Sequence, residues 1–350
     1  MKISDLEFYR VAVPCGDSSQ KIQSLLVRLA SDAGLEGWGE TSLEWRPSEL
    51  APRRQRLLPI LAGRSIFDVE ELAQLDALQV AGLRSALEMA SWDLIGRAAR
   101  QPLCHLLGGL YRSRIPVAAR LANEPSESIA IRARELSERG FHTQILTCSG
   151  DAEVDGSRTL RVVEATGERV QFRVDGRGQY DVPAALELCQ ALETCPGVRY
   201  FLDPVSQGRF DQTAVLQRQT DVPLAVSLRI GSPGDIVEIN RLGAAAHVVL
   251  AVDRLGGLGT VRRCTTVADA AGIAASLSVG RSLGIAVAAM LQVAASSPNL
   301  RTAHECAYHE LSDDVLTHRL DLVDGMLAIP EGPGLGIDVD RSKLERYQVT

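Results

Sequence analysis

The sequence predicts a closed barrel of parallel strands and helices preceded by a smaller α+β unit. From Ile115 onward, short apolar runs alternate with amphipathic stretches of helical period, the pattern of strands and helices wound into a parallel sheet. Strand ends at Thr147, Asp175, Leu202, Leu228 and Ala251 recur every ~23–28 residues, about one strand plus one helix. No long crossover or reversal of strand order interrupts the series, which favours closure over an open sheet.

Before Ile115 the texture differs. Ile3–Phe8 and Ile22–Leu29 alternate apolar and polar residues, as half-buried antiparallel strands do. The loop Pro14–Ser19 separates them, and Gly34 turns the chain into a third strand, Glu36–Glu40. Helices are expected over Pro47–Leu61, Val69–Leu78 and Leu83–Ala99. In the last, Ala86, Met89, Ala90, Asp93 and Leu94 share a helical face. Gly108-Gly109 ends the short helix that follows.

Barrel strands are expected at Ile115–Ala119, Thr143–Thr147, Gln171–Asp175, Tyr200–Leu202, Pro223–Leu228, His247–Ala251 and Ala274–Ser278. The helices are Ser126–Arg139, Ser157–Thr166, Val182–Thr194, Phe210–Gln219, Pro233–Leu242, Gly259–Ala271 and Ser282–Ala295. The tail from Leu320 to Pro330 reads as strand, turn, strand. The expected division is residues 1–113, joined by a returning 321–350, and a barrel over 114–320.

Composition narrows the function. A net charge of −7 argues against a nucleic-acid partner. No apolar run reaches the roughly 18–20 residues of a membrane span. The start lacks a signal-peptide core, and seven cysteines without CxxC spacing read as reduced thiols, so a cytoplasmic location is expected. Of 37 basic residues, only Lys2, Lys21 and Lys343 are lysines. The barrel therefore has no lysine to act as a base, and arginine is too basic to replace it.

Asp175 ends a strand and precedes the Gly-rich turn Gly176-Arg177-Gly178, with Asp181 and Pro183 starting the next helix. A carboxylate there is delivered to the barrel end that carries chemistry in parallel barrels. Arg177, Arg229 and Arg281 each follow a strand end and together suit a carboxylate or phosphate ligand; the alternative is solvated or paired loop arginines. Cys148 and Tyr180 are the candidate reactive groups near that end. Gly256-Gly257-Leu258-Gly259 precedes a helix but lacks a phosphate-loop pattern, so a tight packing turn is expected.

Several runs together resemble the enolase superfamily, in its mandelate racemase / muconate lactonizing enzyme branch. They are Glu36-Gly37-Trp38-Gly39-Glu40, Ser85–Arg97, Leu106-Leu107-Gly108-Gly109, Val174-Asp175, Asp203-Pro204, Gly256-Gly257-Leu258 and Glu331–Gly336, in the family's order. The resemblance implies a modified TIM barrel, (β/α)7β, with an α+β capping domain built from both termini. It implies two capping loops over the mouth, near Cys15–Gln20 and Glu40–Pro47, the second carrying Trp45 as a ligand contact. It also implies a homo-oligomer, and Mg2+ held by three carboxylates while a Lys or His abstracts a proton beside a carboxylate.

This chain departs from that pattern. Ile145 and Thr147 stand in the lysine places of the second strand, and Ala251 in that of the sixth. Asp175 keeps the first ligand position, but Leu202 and Leu228 occupy the second and third, and Gly280 with Arg281 falls where an acid often follows the seventh strand. Asp203, one residue past Leu202, is a candidate second ligand that strand alternation would turn away from the mouth. Asp175 is open to two readings, metal ligand or partner of an arginine. The expectation is a divergent member without Mg2+ or other cofactor and without the usual proton abstraction, which either binds a small anionic or carboxylate ligand or serves only as a scaffold. The alternative is an active racemase, cycloisomerase or dehydratase with Mg2+ and unusual site residues.

Overall fold

The structure, a computed structural model, describes residues 1–16, 20–121, 126–205 and 210–349. Strands β1 (Ile3–Pro14), β2 (Lys21–Ser31) and β3 (Glu36–Thr41) form an antiparallel sheet in that order. Helices α1 (Pro47–Leu61) and α2 (Ala81–Ala99) cover it. Leu6, Phe8, Leu25, Val27 and Leu29 from the sheet meet Leu83, Ala86, Leu87, Ala90 and Leu94 from α2 in one buried cluster. Gly37 and Gly39 make this approach close: a methyl at either would collide with the carbonyl of Ala90 or Ala86.

Eight parallel strands follow: β4 (Arg114–Leu121), β5 (Thr143–Thr147), β6 (Gln171–Asp175), β7 (Val198–Leu202), β8 (Leu224–Val226), β9 (His247–Ala251), β10 (Ala274–Gly280) and β11 (His304–Cys306). Each pairs with the next, and β11 closes on β4 through His304 opposite Val117 and Glu305 opposite Ala118. Helices α3 (Ser126–Glu138), α4 (Ala152–Thr166), α5 (Val182–Glu193), α6 (Asp211–Gln217), α7 (Pro233–Leu242), α8 (Leu258–Ala270) and α9 (Gly284–Ser296) connect them. This is the expected (β/α)7β barrel with a smaller sheet unit in front. Helix α9 is buried along its whole length, as its near-continuous apolar sequence requires.

Three differences matter for the site. The eighth strand of the (β/α)7β barrel, His304–Cys306, is too short to show a period and is not located by the sequence. The first barrel strand runs to Leu121 rather than Ala119, which carries Arg120 into the barrel wall. The fifth ends at Val226 rather than Leu228, so Leu228 lies on the following loop.

The tail divides. Strand β12 (Leu322–Val323) turns into β13 (Met326–Ala328), and β13 pairs antiparallel with β4, on the barrel. Beyond it, Leu335 N–H donates to Asp93 on α2 at 2.9 Å, and Val349 N–H donates to the Arg10 carbonyl on β1 at 2.8 Å. The hairpin thus extends an open edge of β4, while Leu335 and Val349 bond to the first unit.

Replacing Gly39 with alanine should destabilise the protein by about 1–3 kcal/mol or more, since the backbones of β3 and α2 must separate to admit the methyl group. Urea unfolding of Gly39→Ala measures this; a midpoint equal to that of the unchanged protein would contradict the close approach.

Candidate functional site

Parallel register sets the mouth. It aligns Thr147 with Asp175 and Asp175 with Leu202 on one side, and Ala251 with Ser278 and Ser278 with Glu305 on the other. Arg120 comes from the end of β4. Its Nη1 donates to Asp175 Oδ2 at 2.6 Å and to Thr147 Oγ1 at 3.2 Å, and its Nη2 reaches Glu305 Oε2 at 3.4 Å. The Arg120 side chain is 40% exposed, so its guanidinium stands at the boundary between barrel and solvent. One level deeper, Arg173 is 3% exposed. Its Nη1 approaches Glu305 Oε1 at 3.4 Å, and its Nη2 donates to the Ala303 carbonyl at 2.7 Å. Two guanidiniums and two carboxylates therefore form one ladder inside the barrel.

Both oxygens of Asp175 accept a hydrogen bond. Its second oxygen accepts the Arg177 N–H at 3.0 Å, and Arg177 adopts a left-handed conformation to supply it, with its side chain exposed. Asp203 is also left-handed. This turns its carboxylate onto the loop after β8, where Ser227 N–H donates at 2.8 Å and Leu228 N–H at 3.2 Å. Burial pushes the Asp203 carboxyl up to about 6 despite those donors. Leu202 packs inside the barrel with Tyr200, Ala225 and Val249, whereas Leu228 is exposed. Of the two leucines at the expected ligand positions, only Leu202 therefore faces the barrel interior.

The remaining candidates lie elsewhere. Arg229 is half-buried and donates to the Val205 carbonyl at 3.3 Å. Arg281 pairs with Glu310 at 2.9 Å. Trp45 is buried beneath the guanidinium of Arg53 and edge-on to Phe8, within the first unit. Cys148 and Tyr180 are buried in the layer between strands and helices, with Val174, Leu188 and Phe201, rather than at the mouth. The Tyr180 hydroxyl donates to Asp155 at 2.5 Å, and burial pushes the Cys148 thiol up to about 12. Neither is poised as a base or nucleophile.

Of the two loops expected over the mouth, 17–19 of the first lie outside the described residues. The second is tied down: Asp253, just past β9, accepts Ser42 N–H at 2.8 Å, Ser42 Oγ at 2.8 Å and Thr41 Oγ1 at 3.1 Å. The start of α8 is occupied by Glu88, whose carboxylate accepts the Gly259 N–H at 2.8 Å, and Gly257 has no room for a side chain beside it. Gly256–Gly259 is thus a packing turn. Arg120 and Glu305, which complete the ladder, were not singled out in the sequence. A basic residue inside an otherwise apolar strand, Val117-Ala118-Ala119-Arg120-Leu121, was the one signal available for the first.

Comparison with known proteins agrees with this architecture. The family description "Enolase C-terminal domain-like" matches residues 128–343, and "Mandelate racemase / muconate lactonizing enzyme, N-terminal domain" matches residues 11–108. Muconate cycloisomerase 1 of Rhodococcus opacus is 27% identical over 92% of this chain and 90% of its own. An N-succinyl-L-Arg/Lys racemase of Bacillus cereus is 23% identical over 100% of this chain and 98% of its own. Among solved structures, an isomerase from Streptomyces coelicolor A3(2) superposes with a TM-score of 0.87 at 28% identity, covering 99% of this chain and 96% of that one.

Arg173→Met should cost about 3 kcal/mol, because it leaves Glu305 buried with only the Arg120 contact at 3.4 Å. A loss below about 1 kcal/mol in urea unfolding would show the ladder to be dispensable. Asp203 gives a pH signature. Its raised folded value means that its contribution is fully present below the usual carboxylate value of 3.8 and is lost as pH rises through about 6. The thermal midpoint of the unchanged protein should therefore fall relative to Asp203→Asn between pH 4 and 6.5, by on the order of 2–4 °C, and stay parallel above that range. Parallel curves throughout would refute the burial argument.

Proposed function

The chain belongs to the enolase superfamily, in its mandelate racemase / muconate lactonizing enzyme branch, and from that premise we propose a divergent member that binds a small carboxylate at the barrel mouth without metal-assisted proton abstraction. The observation that carries this is the Arg120–Asp175 pair at 2.6 Å. The family implies Mg2+, an ion that takes oxygen ligands and usually one or two carboxylates. The donor set here does not suit it. Asp175 accepts from Arg120 and Arg177, and Asp203 accepts from the backbone of Ser227 and Leu228. Among the described residues no group of three or more His, Cys, Asp or Glu side chains is arranged to hold a metal ion. A divalent cation beside Arg120 would also meet a fixed positive charge that cannot be deprotonated.

Among the described residues the base is equally without a candidate. Ile145 and Thr147 stand where the family places lysines. His304 accepts the Leu277 N–H through Nδ1, deep in the barrel wall, and burial followed by the charges of Arg173 and Arg112 pushes it down to about 3. What the mouth offers is guanidinium. Arg120 carries five N–H donors, only some of which meet Thr147, Asp175 and Glu305, and Arg254 stands nearby with its Nη1 on the Ser227 carbonyl at 2.8 Å. A planar carboxylate is the ligand such forks recognise best. The full-length likeness to cycloisomerases favours the alternative, an active racemase, cycloisomerase or dehydratase; the side chains at the mouth do not.

Calorimetric titration with Mg2+ and Mn2+ decides between them. No binding up to millimolar metal is expected. Micromolar binding that Asp175→Asn abolishes would restore the metal-assisted reading. With succinate as the probe anion, binding weakened by Arg120→Met is expected.

A further inference from the structure

The barrel has a second concave end. Opposite the mouth, at the N-terminal ends of the strands, lies a cavity of about 470 Å³ whose walls include Arg173, Arg199, Arg301, Tyr200 and His247. Among the described residues no Asp or Glu lines it. Arg173 forms the floor, where its charge is only partly offset by Glu305, a carboxylate it shares with Arg120. The rim arginines are exposed and bonded to neutral groups: Arg199 Nε donates to Gln171 Oε1 at 2.9 Å, and Arg301 Nε donates to the Pro298 carbonyl at 3.1 Å.

This end therefore carries surplus positive charge. Two neighbouring groups register it. Burial and then Arg301 lower the Arg112 guanidinium, and burial and then Arg173 push His247 down to about 3. Neutral His247 stacks on Tyr200 with ring centroids 4.6 Å apart, giving the cavity a flat aromatic wall, and Arg173 lies over the Tyr200 ring. Gln171 and Arg199 also border an adjoining groove of about 590 Å³, lined by Leu160, Val163 and Val170.

We infer that this N-terminal face binds a small phosphate monoester, its phosphate between Arg199 and Arg301 above Arg173, and its organic part against the Tyr200–His247 wall or the adjoining apolar groove. Guanidinium forks match the oxygens of a phosphate dianion, and three arginines suit its charge better than that of a single carboxylate. The volume is that of a small-molecule site. No catalysis is assigned to this end, and the site does not depend on the reading of the mouth.

Calorimetry at low ionic strength with phenyl phosphate and with inorganic phosphate tests the assignment on the full chain. Phenyl phosphate should bind, and more tightly than inorganic phosphate, because only the ester reaches the aromatic wall. Arg199→Ala/Arg301→Ala should weaken it by about tenfold or more, as expected for the loss of charge-assisted hydrogen bonds. Thermal unfolding of the double variant should match that of the unchanged protein, since both side chains are exposed; if it does not fold, Arg199→Gln and Arg301→Gln are measured singly. Absence of binding at millimolar ligand, equal affinity for the two phosphates, or undiminished affinity in the arginine variants would overturn the inference. Loss of binding through Arg120→Met alone would also overturn it, by placing the anion at the mouth.

Discussion

Four charges inside the barrel, Arg120, Asp175, Arg173 and Glu305, sum to zero, and the site depends on that balance. Desolvating an ion costs several kcal/mol even after relaxation, so none of the three buried members, Asp175, Arg173 and Glu305, is tolerated alone. Arginine cannot escape by losing its proton. The carboxylates therefore stay with the guanidiniums, and these pairs tie β4 and β6 to β11 across the interior. The same constraint accounts for the small, divided apolar clusters within the barrel, around Tyr200 and Leu202 on one side and Ala118 and Ile145 on the other.

The first unit is attached to the barrel by carboxylates of a different kind. Glu40, at the end of β3, accepts the Ala286 N–H at 2.9 Å and the Leu283 N–H at 2.6 Å, at the start of α9, together with Ser24 Oγ at 2.7 Å. Glu88 does the same for α8, and Asp253 returns the favour from the barrel to the loop at Thr41 and Ser42. Helix starts present unpaired N–H groups and a positive dipole end, so a carboxylate there is both partner and counter-charge. Burial outweighs these donors at Glu40, which is pushed up to about 7. The loop that follows Glu40 is tied to the barrel by this scheme.

The two ends of the barrel consequently differ in electrostatic character. At the mouth, Arg120 shares its donors with Asp175 and Glu305. At the opposite end, Arg199 and Arg301 meet only neutral acceptors. Neither property follows from the net charge of −7, which averages over the whole surface. Local surplus is set by which side chains share a cavity.

Much of the architecture was legible in the chain itself. Alternation of apolar strands with amphipathic helices placed β5, β6 and β9 at Thr143–Thr147, Gln171–Asp175 and His247–Ala251, because each element's period is a property of adjacent residues. The absence of lysine from the barrel, and the leucines at Leu202 and Leu228, could be read directly. The three-residue strand His304–Cys306 could not, being shorter than any period. Nor could the outward turn of Cys148 and Tyr180. The partners of Arg120 lie 55 and 185 residues away in the chain, at Asp175 and Glu305. Sequence by itself determined which charges are available and which are missing. Only closure of the barrel decided which of them meet, because strand register, and not proximity in the chain, brings side chains into a common interior.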